Sequence, residues 1–166
     1  YGGTFVVDEL PPDGTPVGRS GGDPFERPTA TELDDLLNAR EILEVGAVRA
    51  AAGRTLTAEQ REGLWARLRE VDEADPSDYR RLDSRLHLTL AELAAAPSLL
   101  PVLAENRMRV NACLDGIPLL DPNIRHSDAQ HRAIVVAVLA ADVETAAAAM
   151  EEHLAGSAAL LRGFLA

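Results

Sequence analysis

From Thr31 onward, apolar side chains recur every three or four residues, and glycine, proline and Asp-Pro breakers cut that recurrence into lengths of fifteen to twenty-odd residues. A chain patterned this way can bury its apolar stripes only by packing helix against helix. Leu33, Leu36, Leu37, Leu43 and Ala47 predict a first helix from Thr31 to about Ala52, stopped by Gly53. Thr57 caps a second through Leu64, Trp65, Leu68 and Val71, closed by Asp75-Pro76. A third runs from about Ser77 to Ala95, and Pro97 or Ser98 opens a fourth through Leu99, Leu103, Val110 and Leu114. Gly116, Pro118 and Pro122 mark a loop before a fifth helix that ends near Ala141. Asp142 caps a sixth that reaches about Phe164. The residues are 46% hydrophobic but only 4% aromatic, rich in alanine and leucine and poor in β-branched types, which favours helix throughout. The expectation is an all-α, antiparallel bundle of about six helices over residues 31–166.

Two stretches fall outside that bundle. Residues 8–30 hold five prolines and four glycines and read as a linker. Residues 1–7, YGGTFVV, read as a tight turn and a short strand, which cannot be stable alone and is expected to be the tail of a preceding domain. The first residue is Tyr1, so the chain is expected to begin inside a longer gene product.

The net charge of −11 repels phosphate backbones, so this chain by itself is a poor nucleic-acid binder. A single Cys113 rules out an internal disulfide and fits a reducing, cytoplasmic setting. No apolar run approaches the roughly 20 residues of a membrane span. There is no glycine-rich phosphate loop, no GxSxG elbow and no paired CxxC, so nothing points to nucleotide binding or covalent catalysis, and no catalytic residue is assigned.

The chemistry-bearing residues are few. Three of the four histidines, His87, His131 and His153, fall on apolar faces of three different helices, and Asp83 lies one turn before His87 on the same face. A lone histidine on an apolar face is usually a satisfied core residue. Three of them on separate helices, with a carboxylate beside the first, make a divalent-metal site an equal contender. Such ligands suit Zn, Ni, Mn or Fe without choosing among them. His126, five residues before His131, is expected at the surface in or beside a loop, with Ser127 and Gln130 able to form a capping box. Arg40 and Glu44 are one turn apart, and Asn106 and Arg107 lie among Leu99, Leu103 and Val110. The plain reading is an intrahelical ion pair and a snorkelling arginine. The functional one is that a cationic group beside a metal holds the carboxylate of a small acid, since arginine binds planar carboxylates bidentately. Cys113 reads as a small core residue, and Asp34-Asp35 and Glu151-Glu152 as solvated faces.

Together these pieces resemble the FCD-type effector domain of GntR-family bacterial transcription regulators. The matching features are Arg40-Glu41-Ile42-Leu43-Glu44, Asp83-x-x-x-His87, His131-Arg132-Ala133-Ile134 leading into Ala137 and Asp142, and Met150-x-x-His153-Leu154. The resemblance makes YGGTFVV look like the last wing strand of a winged helix-turn-helix. It implies that Asp83, His87, His131 and His153 ligate a divalent metal (Zn, Ni or Mn). It also implies a small organic acid as effector, bound beside the metal with Arg40, Asn106 and Arg107. The implied protein is a homodimeric regulator, not an enzyme, that touches operator DNA through an N-terminal domain rather than through this chain. Six helices rather than seven point to the shorter subgroup of these domains. Two positions depart from the family pattern: Leu86 stands where phenylalanine is common before the histidine, and Ala95-Ala96-Pro97-Ser98 follows the third helix where asparagine is common. The readings set against this one are a metal-dependent enzyme built in a helical bundle and a metal-free dimerisation bundle.

Overall fold

The structure, a computed structural model, describes residues 28–165. Six helices occupy almost all of it: α1 Ala30–Ala52, α2 Ala58–Asp72, α3 Tyr79–Leu93, α4 Leu99–Leu114, α5 Asp121–Leu139 and α6 Val143–Leu165. The expected strand at 1–7 and nearly all of the expected linker lie outside the described residues.

Helix starts follow capping chemistry. Thr57 accepts from the Gln60 amide while the Gln60 side chain accepts from the Thr57 amide, closing a capping box. The same box opens α1, but on Thr29 and Glu32, not on Thr31. Only Thr29 has a glutamate three residues on, and that reciprocal pair starts the helix earlier than the apolar stripe indicates. Asp142 caps α6 as expected, accepting from the Thr145 amide and hydroxyl. The fifth helix differs from expectation. Pro122 sits inside its first turn, where a missing amide costs nothing, so the helix begins at Asp121 and His126, Ser127 and Gln130 are already helical. Ser127 therefore caps nothing, although His126 is exposed as expected. The third helix stops at Leu93, before the expected Ala95, because Ala95 turns into left-handed backbone at φ 54°. Phe164, near the end of α6, is 51% exposed.

Helix α1 is the hub and packs against α3, α4, α5 and α6. Its pairing with α6 is antiparallel: Asp34 near the start of α1 meets Arg162 near the end of α6, and Arg49 near the end of α1 meets Glu144 near the start of α6. One apolar cluster joins Val48, Leu64, Leu86, Ile134, Val135 and Met150 from α1, α2, α3, α5 and α6. A second joins Leu33, Leu36, Leu37, Val110, Ile117 and Leu161 at the other end of α1 and α6. Along both helices the buried polar residues, Arg40 and Glu44 on α1 and His153 on α6, fall between the two clusters. The molecule thus carries a polar layer across its own core. None of the described helices is long and apolar enough to cross a membrane.

Candidate metal centre

Helix α3 places Asp83 one turn before His87, α5 supplies His131 and α6 supplies His153. These four side chains each bring one ligand-type atom into a group whose members all lie within 4.8 Å of one another. His87 Nε2 stands 3.4 Å from His131 Nε2, and Asp83 Oδ1 lies 3.1 Å from His131 Nε2 and 3.7 Å from His87 Nε2. The ring centroids of His131 and His153 are 4.5 Å apart, and those of His87 and His153 are 5.2 Å apart. The three imidazoles are buried, and Asp83 is half-buried.

The outer nitrogens are held from behind. His87 Nδ1 donates to Glu44 Oε2, and His153 Nδ1 donates to Gln130 Oε1 at 3.1 Å. With Nδ1 carrying the proton in each ring, Nε2 keeps its lone pair and points inward, the carboxylate–histidine arrangement that orients metal ligands. His131 Nδ1 is buried without a hydrogen-bond partner among the described residues. Imidazole lone pairs crowded beside a carboxylate, away from water, repel one another unless a cation sits among them. Two His Nε2 atoms, a third ring beside them and a carboxylate oxygen are a donor set that a divalent metal of the Zn, Ni or Mn kind fits.

The protonation states match. Burial, followed by the Arg107 guanidinium, lowers His87 to about 4. Burial and the two neighbouring histidines hold His153 well below its ordinary range. For Asp83 burial acts upward, yet Arg107 and His87 more than offset it and keep the carboxyl well below the usual range. Glu44 behaves alike, burial being outweighed by His87, Arg107 and Arg40. Neutral imidazoles and an ionised carboxylate are the forms in which these groups ligate.

Arg107 joins the two carboxylates. Its Nη1 donates to Glu44 Oε1 at 2.9 Å and its Nη2 donates to Asp83 Oδ2. Arg40 Nε donates to the same Glu44 oxygen at 2.9 Å and its Nη1 to the Ser157 hydroxyl at 2.9 Å. The ion pair read from the sequence is therefore present, but it belongs to a larger network. Asn106 donates to the Leu36 carbonyl at 3.0 Å, tying α4 to α1. Against these groups opens a pocket of about 280 Å³, whose walls include Arg40, Asp83, Gln130 and His153. Of the three residues expected to hold an effector, Arg40 lines this pocket, whereas Asn106 and Arg107 do not. The structure brings the four expected metal ligands together. It adds Glu44 and Gln130, which sequence reasoning did not assign to the site. A glutamate on an apolar stripe, one turn from Arg40, was the available signal for Glu44. Gln130 had only its position one residue before His131.

Residues 35–156 match the family described as FCD domain. No curated protein shows significant sequence similarity to the chain. Among solved structures, E. coli McbR/YncC is similar with a TM-score of 0.71 at 18% identity, covering 81% of this chain and 70% of that one. That likeness establishes a shared all-α fold.

Proposed function

The chain belongs to the FCD family, the helical regulatory domain of GntR-type regulators, and from that premise we propose that it binds a divalent metal and a small carboxylate effector to control operator binding. The observation that carries the reading is the convergence of Asp83, His87, His131 and His153 beside a pocket that reaches Asp83 and His153. Asp83 and the three Nε2 atoms would hold the metal, and when bound it supplies a Lewis-acidic position for an effector oxygen. With neutral histidines, the charges of Arg40, Arg107, Glu44 and Asp83 cancel, so a divalent cation leaves the deep end of the pocket at about +2 and attracts an anion. Arg40 lines the pocket, and its Nη2 donates to no protein acceptor among the described residues, which leaves it free to take a carboxylate oxygen. Arg107 acts from behind, fixing Asp83 and Glu44, and Asn106 supports the α1–α4 packing that carries them.

Regulation then follows from linkage. An effector that favours one packing of α1, α3, α5 and α6 shifts its population, and in a homodimer that shift alters the spacing of two DNA-binding heads. Operator DNA is contacted through a separate N-terminal domain, since this chain is acidic. Elemental analysis by plasma mass spectrometry tests the metal half. About one divalent metal per chain is expected, and its loss in an Asp83→Ala/His153→Ala double variant. No metal in either protein after incubation with Zn, Ni and Mn salts would reduce the histidines to core residues.

A further inference from the structure

Gln130 serves two neighbours at once. From α5 its Oε1 accepts from His153 Nδ1 at 3.1 Å, and the same side chain lines the pocket beside the metal centre. Its Nε2 donates to no acceptor among the described residues, which leaves the N–H groups of the amide free for a ligand. Arg40 comes to the same stretch of α6 from α1. It donates to the Ser157 hydroxyl at 2.9 Å, and Ser157 lies one turn beyond His153. Two spare donors, one cationic and one neutral, thus belong to side chains bonded at or next to His153.

The neutral donor is the more informative, because an amide has two ends with opposite roles. With Oε1 toward His153, the ring carries its proton on Nδ1, and Nε2 keeps the lone pair that a metal needs. With the amide turned over, its Nε2 would donate to His153 Nδ1. The ring would then carry its proton on Nε2 and could not ligate. The two orientations fill the same space, so what lies in the pocket decides between them. A carboxylate oxygen accepting from the amide N–H holds the first orientation and opposes the second, in which Oε1 would face it. Polarisation adds to this. A bond given by the N–H end enriches Oε1, strengthens its bond to Nδ1–H and makes His153 a better ligand. The path runs both ways: once His153 Nε2 is engaged, Nδ1–H and then the amide N–H become stronger donors.

We propose that Gln130 is the positioning residue that couples metal and effector: its amide holds His153 in the metal-binding tautomer and gives an N–H to an effector oxygen, so each ligand tightens the other. The inference rests on the metal-and-carboxylate reading above and adds a route for its regulation. By linkage, the acid raises metal affinity by the same factor as the metal raises acid affinity.

Isothermal titration with zinc alone, and then of the zinc-loaded chain with acetate, tests this on wild type, Gln130→Met and Gln130→Glu. Methionine keeps the length of the side chain and removes both ends of the amide. Glutamate keeps an acceptor for Nδ1–H and replaces the pocket-side donor by a second acceptor. Zinc affinity is expected to fall about tenfold or more in Gln130→Met. In Gln130→Glu it is expected to match or exceed wild type, a carboxylate being the stronger acceptor. Acetate should bind the zinc-loaded wild type and bind zinc-loaded Gln130→Glu at least about tenfold more weakly. A side chain that merely packs would not retain zinc while losing acetate in this way. Equal zinc affinity in all three proteins, or zinc as weak in Gln130→Glu as in Gln130→Met, would overturn the inference and leave the metal site standing. So would acetate binding that Gln130→Glu leaves intact or that wild type lacks. A wild-type chain that takes up no zinc would overturn the metal reading with it.

Discussion

Two regions of this bundle are equally buried and are held together in opposite ways. Around Leu64, Leu86, Ile134 and Met150 the interior is apolar, and each side chain is satisfied by the surfaces it touches. A few ångströms along the same helices, Arg40, Glu44, His87, Arg107, His131 and His153 are at most 4% exposed, yet their order comes from charge pairing. The first region is complete as it stands. The second contains two arginines and two carboxylates in balance, and inward-facing imidazole nitrogens whose bonding capacity the protein does not use up. Burial alone thus does not separate core from site; the unspent donor atoms do.

Removing one member from each region should break both, but for different reasons. Glu44→Ala deletes the acceptor shared by Arg40, Arg107 and His87, leaving buried Arg40 without a carboxylate and Arg107 with Asp83 alone. A loss of about 3–5 kcal/mol in urea unfolding is expected, together with loss of metal. Leu64→Ala leaves a cavity under α2 and should cost about 2–5 kcal/mol, with metal stoichiometry retained. If Glu44→Ala kept both its stability and its metal, the polar layer would be an ordinary core.

Acid should separate the regions next. His87 is lowered from 6.5 to about 4 by burial and Arg107, so between those values the unfolded chain binds a proton that the folded chain refuses. Its stabilising contribution is complete above pH 6.5 and drains away as pH falls towards 4, at about 1.4 kcal/mol per pH unit for this residue. The lowered His153, Asp83 and Glu44 act with the same sign. Urea midpoints measured in chelator at pH 7, 6 and 5 should therefore fall steadily, and a His87→Leu variant should flatten the slope. A midpoint independent of pH over this range would contradict the neutral-histidine picture.

The smallest effect lies outside both regions. Ala95 and Ala141 hold left-handed backbone, at φ 54° and 57°, where a β-carbon is strained. Ala95→Gly should raise the thermal midpoint slightly, by about 0.5–1 kcal/mol in stability, without changing metal content.

Much of the fold was legible because helix boundaries are local. Thr57 with Gln60, Asp142 with Thr145 and Gly53 at the end of α1 all lie where capping and breaking chemistry puts them. The errors had the same origin: Ser127 and Gln130 satisfy the capping-box pattern as well as Thr29 and Glu32 do, and only Pro122 in the first turn decides between them. Asp83 and His87 could be paired by their spacing. Glu44 and His87 lie 43 positions apart, and Arg107 and Glu44 63, distances over which periodicity carries no signal.

The stapling of α1 to α6 has an engineering corollary. Because Asp34 meets Arg162 and Arg49 meets Glu144, the start of α1 and the end of α6 are neighbours. A short flexible linker joining them would close the chain into a ring, which could be reopened in the connection at 73–78. Every bond of the polar layer would survive that rewiring, because none depends on the order in which the helices are synthesised.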